Sequence, residues 1–150
     1  ERIYPVGRLD YDTSGLIILT NDGDFANKLM HPRHMIRKVY RAEITGKLSS
    51  SDIECIETGV QLEDYKTAPA GIKVISTSKD RSLVEVSICE GKNRQIRKMF
   101  DSLNHPVLRL KRIAIGPVGI DGLEEGKWRY LSKNEVMELK NAVVESVDPG

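Results

Sequence analysis

Cysteine is scarce: Cys55 and Cys89 are the only two in 150 residues, far apart and in no metal-ligand spacing. That excludes a disulfide-built scaffold, and two free thiols in a reducing cytoplasm are expected. No apolar run approaches the roughly 18 residues a membrane span needs. The longest, Gly15-Leu-Ile-Ile-Leu19, is strand-sized, so no membrane partner is expected. A phosphate-cradling loop, a dinucleotide fingerprint and a Cys/His ligand set are all missing, so neither a cofactor nor a metal is expected. His31-Pro-Arg-His34 crosses a proline and lacks carboxylate or cysteine company, and His105 stands apart. Without repeats, low-complexity tracts or a linker, residues 1–150 read as one domain. The chain opens on Glu1 with no charged-then-apolar leader, which reads as an internal cut in a longer protein.

What is present is a globular composition, 39% hydrophobic and 30% charged, with a net charge of only +1. The charge is unevenly spread. From Lys92 to Arg112 seven basic residues face Asp101 alone, whereas Ser50 to Asp64 carries five acidic residues and no basic one. The cationic stretch suits a polyanionic partner; a solvated charged face is the plainer explanation of the same residues.

Along the chain, Arg8-Leu-Asp-Tyr-Asp-Thr-Ser-Gly15 is too rich in turn formers for regular structure and reads as a loop. A strand over Leu16–Thr20, a turn at Asn21-Asp22-Gly23 and a short helix ending before Pro32 follow. Lys38–Thr45 alternates, with Tyr40, Ala42 and Ile44 on one face. Ser49-Ser50-Ser51 offers an N-cap for a helix that Gly59 stops. Ile72–Ser76 and Leu83–Cys89 read as strands. Asn93 is the expected N-cap of a helix whose Ile96, Met99, Phe100 and Leu103 fall at the i, i+3, i+4, i+7 spacing of a buried stripe. Val107–Ile115 reads as a strand, and Ser132-Lys-Asn-Glu135 as a capping box opening a last helix. The fold class expected is α+β, a largely antiparallel mixed sheet packed by helices.

Four ordered segments then carry a resemblance. Gly7-Arg-Leu-Asp-Tyr-Asp-Thr-Ser-Gly-Leu-Ile-Ile-Leu-Thr-Asn-Asp-Gly23, Lys38-Val39-Tyr40, Glu90-Gly-Lys-Asn-Arg-Gln-Ile-Arg-Lys-Met99, and Leu110-Lys-Arg-Ile113 with Gly126-Lys-Trp-Arg129 resemble the motifs of the RsuA-type pseudouridine synthases. The match runs from about Tyr4 to about Leu139. Met30-His31-Pro32 and Gly59-Val-Gln-Leu-Glu-Asp64 lean toward the large-subunit ribosomal RNA type. The resemblance implies a pseudouridine synthase catalytic domain that converts a uridine in ribosomal RNA, in a stem-loop, to pseudouridine; a cytoplasmic location is expected, and a monomer is the default expectation. It also implies a preceding S4-type RNA-binding domain, a linker and further strands, which this sequence does not contain.

The reaction breaks the bond from ribose C1′ to uracil N1, turns the base over and rejoins it through C5. Nothing is oxidised and no group is lost, so it needs an ionised carboxylate beside the ribose and base rather than a cofactor. The resemblance assigns that carboxylate to Asp10. It assigns to Arg97 the task of keeping Asp10 ionised through a two-hydrogen-bond pair, since desolvation raises a carboxylate pKa; a phosphate contact is the alternative for Arg97. The target base must leave its stack. Tyr40 is the ring expected to receive it, worth about 1–3 kcal/mol, with Ile96 as the apolar wall. Lys92, Arg94, Lys98, Arg109 and Arg112 are candidate phosphate contacts, and Arg8 either does the same or braces the loop. Asp12 is expected to brace the loop through its own backbone.

Two rival functions share these residues. Asp10-Tyr11-Asp12 mimics the Asp-x-Asp nucleophile motif of haloacid-dehalogenase phosphotransferases, but that motif ends a buried strand whereas here the strand follows it. A non-catalytic RNA-binding or assembly module would need the basic segment and not Asp10.

Overall fold

The computed structural model describes residues 2–147. Two strands, β1 (Tyr4–Val6) and β3 (Ile18–Thr20), form an antiparallel ribbon, and the loop carrying Asp10 runs between them. Inside that loop Ser14–Gly15 (β2) makes a two-residue parallel bridge to Lys111 and Arg112. The expected strand over Leu16–Thr20 is therefore shorter, because Leu16 and Ile17 carry the chain from one sheet to the other. α1 (Gly23–Met30) follows, capped by the Asp22 carboxylate accepting from the Phe25 N–H at 3.0 Å. A single 3-10 turn, Pro32–His34, leads to β4.

The main sheet is built from β4 (Lys38–Thr45), β5 (Gly71–Thr77), β6 (Arg81–Ile88) and β7 (Val107–Ile115), with β2 at one edge and the short β8 (Val118–Gly119) hairpinned onto β7. The spatial order is β2-β7-β4-β6-β5, all antiparallel except β2. Period-two alternation in β4 and β6 puts Ala42, Ile44, Val84 and Val86 into the interior with no exposed surface. α2 (Ser50–Thr58) and α3 (Gln95–Ser102) cover this face through Ile56, Ile96, Met99 and Phe100. The Ser49 hydroxyl and the Asp52 carboxylate close a reciprocal capping box at α2, both bonds at 3.0 Å. Ser132 and Glu135 do the same for α4 (Lys133–Val147).

A second core, formed by Val6, Ile18, Ala26, Leu29, Ile36, Ile115, Val118, Leu139 and Val143, joins the β1–β3 ribbon and α1 to α4 and the end of β7. α3 departs from expectation at its start. Its N-cap is Arg94 in the left-handed region (φ 52°), with no side-chain cap, rather than Asn93. Gln95 compensates, its Oε1 accepting from the Lys92 N–H at 3.3 Å, and the left-handed turn frees the Arg94 side chain for the Asp10 loop.

Gly15 decides how closely that loop lies on β7. Its φ is +118°, and a Cβ there would fall within van der Waals contact of the Arg112 backbone carbonyl. Gly15→Ala should therefore destabilise the fold by about 1–3 kcal/mol, read as a lower urea midpoint.

Candidate active site

The two cores leave a cleft of about 1020 Å³ between them. Val6, Leu29, Ile36 and Ile115 from one core and Ile88, Ile96 and Leu110 from the other line it. Five separate segments bring polar groups to it: the loop with Arg8, Asp10 and Thr13; the end of α1 with His31; β4 with Lys38 and Tyr40; the turn and helix with Lys92, Arg94, Gln95 and Arg97; and β7 with Arg112. Asp10, Tyr40, Ile96 and Arg97, far apart in the chain, thus share one concavity. Cys89 lies on its rim, and both cysteines are free thiols.

The ion pairing differs from the expectation. Arg97 is held by Asp12, not Asp10: its Nη2 donates to the Asp12 carbonyl oxygen at 2.6 Å, and its Nε lies 3.4 Å from Asp12 Oδ1. Arg94 forks onto the Asp12 carboxylate with bonds of 3.0 and 2.9 Å, and its Nη1 lies 3.6 Å from Asp10 Oδ2. The physical reason is placement. Arg94 at the left-handed N-cap and Arg97 in the first turn of α3 both reach the loop, and the tight turn closed by the Thr13 N–H on the Asp10 carbonyl (3.0 Å) presents residue 12 to them. Asp10 is left with 40% of its side chain exposed, opening on the cleft. Asp12 does brace the loop, chiefly through two arginines of another element, with its own backbone a lesser contributor. The Arg94 hydrogen bond, with Arg97 adding charge, holds the Asp12 carboxyl below the usual carboxylate range. Arg94 in turn is held more firmly protonated.

Of the expected phosphate contacts, Arg112 is turned inward and Arg109 away from the cleft. Arg112 is buried (4% exposed), with Nε donating to the Leu16 carbonyl at 2.9 Å and Nη1 reaching the Arg8 carbonyl at 3.5 Å. It therefore underpins the loop. Arg109 is exposed on the face of β7 opposite Leu110 and Arg112, the two β7 residues beside it that line the cleft. Arg94 is engaged by Asp12. Arg8, Lys92 and Lys98 are exposed; Arg8 and Lys92 line the cleft, and the Lys92 ammonium sits 4.1 Å over the Tyr65 ring. Among the described residues no cluster of three or more His, Cys, Asp or Glu side chains could hold a metal ion. His34, one of the tempting ligands, is buried and its proton affinity is lowered by that burial. Sequence reasoning passed over Gln95 and Lys38. Gln95 ties the 90–95 turn together by donating to Glu90 Oε1 at 2.7 Å, and Glu90 in turn accepts from the Ala68 N–H at 2.8 Å. The signal for Lys38 was its two-residue spacing from Tyr40 on one strand.

This arrangement, a carboxylate on an irregular loop facing an aromatic ring and a basic helix across a nucleotide-sized cleft, fits an enzyme acting on one extruded nucleotide. The comparisons agree. Residues 1–102 match the family model described as RNA pseudouridylate synthase, and the chain belongs to that family. It is 47% identical over 142 residues to ribosomal large subunit pseudouridine synthase B of Bacillus subtilis, covering 93% of this chain and 58% of that protein. It is 42% identical to an uncharacterized RNA pseudouridine synthase of Aquifex aeolicus, covering 95% of this chain and 57% of the other. A crystal structure of a pseudouridylate synthase superposes with a TM-score of 0.84 at 31% identity, covering 91% of this chain and 59% of that one. The chain thus spans somewhat under three fifths of each of these three proteins.

The Asp12 clamp carries a pH signature. Its folded pKa lies below the ordinary 3.8, so its contribution is fully present above that ordinary value and is lost as pH falls through the folded one. Asp12→Asn should be less stable than wild type at pH 7 in urea titrations. The gap should narrow as pH drops below 3.8, where the wild-type carboxyl also takes up its proton.

Proposed function

We propose that this chain is the catalytic unit of a monomeric cytoplasmic enzyme that isomerises a uridine in a stem-loop of large-subunit ribosomal RNA to pseudouridine. The observation that carries this is the convergence of Asp10, Tyr40, Ile96 and Arg97 on one cleft large enough for a nucleotide, in a chain whose family is that of the RNA pseudouridylate synthases.

In this reading Asp10 is the reacting carboxylate, its side chain open to the cleft. Tyr40, half-buried on β4, gives the extruded uracil a face to stack on, and Ile96 closes the other side. Arg97 is a positioning residue: by gripping the Asp12 carbonyl it fixes the loop two residues from Asp10. Arg94 holds the same loop and supplies the positive charge nearest Asp10. Lys92, Arg8 and Lys98 form the exposed rim toward the phosphates, each individually weak. The Asp-x-Asp phosphotransferase finds no support in the geometry, since the Asp12 carboxylate is taken up by Arg94 and Arg97 and does not line the cleft beside Asp10.

The test is a pseudouridine-forming assay with full-length protein on ribosomal RNA lacking its modifications. Asp10→Ala should abolish product by at least about 10³-fold while retaining RNA. If Asp10→Ala modifies uridine as well as wild type, the protein is an RNA-binding module instead. Arg97→Leu should lower turnover more than RNA retention; equal losses in both would make it a phosphate contact.

A further inference from the structure

Two cations that line the cleft, Lys38 and Arg112, make no ion pair with a carboxylate among the described residues. Lys38 and Tyr40 are two residues apart on β4, hence on one face. Tyr40 is paired across the sheet with Arg112. The half-buried Lys38 ammonium reaches only the Glu90 carbonyl oxygen, at 3.5 Å. Gly91 leaves room for it, since a Cβ there would lie 3.1 Å from Lys38 Nζ. Arg112, 96% buried by its 4% exposure, spends Nε and Nη1 on the loop, but its Nη2 is buried with no hydrogen-bond partner. Both side chains line the same cleft as Tyr40. Buried cationic donors left open are costly unless something arrives to accept from them.

We infer that Lys38 and Arg112 receive a carbonyl oxygen of the uracil and stabilise the charge it gains when the base detaches. This rests on the isomerase reading above. When the C1′–N1 bond breaks, its electron pair stays with the uracil and spreads from N1 onto the ring carbonyl oxygens. The C5–C1′ bond then forms, C5 loses its proton and N1 takes one up, so no charge is left over. A donor aimed at that oxygen is worth more in the transition state than in the bound uridine. Burial favours a base oxygen over a phosphate: Arg112 is buried, Lys38 is half-buried, and Arg112 is the cross-strand partner of the ring proposed to stack the base, whereas a backbone phosphate belongs at the wet rim. The surroundings agree. Desolvation, with Arg112 nearby, lowers the proton affinity of Lys38, and Cys89 and Glu90 raise it only in part, so an incoming anionic oxygen would be a welcome partner.

The experiment compares full-length wild type, Lys38→Met and Lys38→Arg on a ribosomal RNA fragment that the wild type modifies. It measures the single-turnover rate at saturating protein and RNA affinity across a salt series. Lys38→Met should slow the rate by about 10²-fold with affinity and its salt slope unchanged, and Lys38→Arg should recover part of the loss. An unchanged rate overturns the inference. So does a loss of affinity with a shallower salt slope and a preserved saturated rate, which marks a phosphate contact. If the Met variant is not folded by circular dichroism, the Arg variant is assayed against RNA carrying 2-thio- or 4-thiouridine at the target. A thio penalty that differs from wild type supports the contact, and equal penalties for both analogues overturn it. Should Asp10→Ala stay active, the isomerase reading falls; should Asp10→Ala be dead while Lys38→Met matches wild type, only this inference falls.

Discussion

The Asp12 carboxylate, held between Arg94 and Arg97, is the joint on which the site depends. The segment from Gly7 to Ile17 has no regular structure beyond the two-residue bridge at Ser14–Gly15, and each residue fixed in an irregular loop costs about 1–2 kcal/mol of backbone entropy. Apolar burial does not supply that fixation over residues 8–15, where no residue is buried and Tyr11 is 95% exposed, and Leu16 alone of the segment lies in a core. Charge-assisted bonds from α3 on one side and the Arg112 guanidinium beneath do so instead. Such a clamp serves geometry better than bulk stability. Its side chains are a quarter to a third exposed at Asp12 and Arg94, where solvent weakens the Coulomb term, but the fork fixes direction as well as distance.

The clamp spans a cleft because the hydrophobic residues divide into two cores. α2 and α3 pack on the β4–β6 half of the sheet, and α1 and α4 pack on the β1–β3 ribbon at the far end of β7. Strands β4 and β7 run between both, so residues at their shared end, Lys38, Tyr40 and Arg112, floor the gap. The loop and α3 form its opposing lips. A cleft made this way comes preformed, since each wall belongs to a packed core and neither has to be assembled by the substrate.

Much of this was legible because it is local. The alternation in Lys38–Thr45, the apolar stripe of α3, the N-cap within Ser49–Ser51 and the capping box at Ser132 are short-range patterns with one good physical solution, and they formed as read. The site was legible as a set of residues by resemblance, but its pairings were not. Arg97 meets its partner across 85 positions of sequence, and whether residue 10 or 12 faces it depends on a tight turn no spacing rule fixes. The burial of Arg112 follows from the parallel bridge of β2 to β7, a contact of only two residue pairs that carries no periodic signal. Arg109 is different: it lies one residue from Leu110, so alternation alone would have sent it away from the cleft. The left-handed start of α3 could not be foreseen, because arginine is an unusual residue there and it adopts that backbone where its side chain locks onto Asp12.

Two neighbouring carboxylates in one loop would compete for the same arginines, and the geometry divides the labour between them. Asp12 takes the fork of Arg94 and both reaches of Arg97, so the strongest hydrogen bonds go to the group proposed to do no chemistry. Asp10 keeps one cation at 3.6 Å, longer than a hydrogen bond. A carboxylate spent on two strong bonds would be a poor nucleophile or base, whereas one with a single distant cation keeps its lone pairs open toward the cleft. Placing the structural acid two residues from the one proposed to react therefore secures the loop without blunting Asp10. The isomerase reading asks for this balance, and an RNA-binding module would have no use for it.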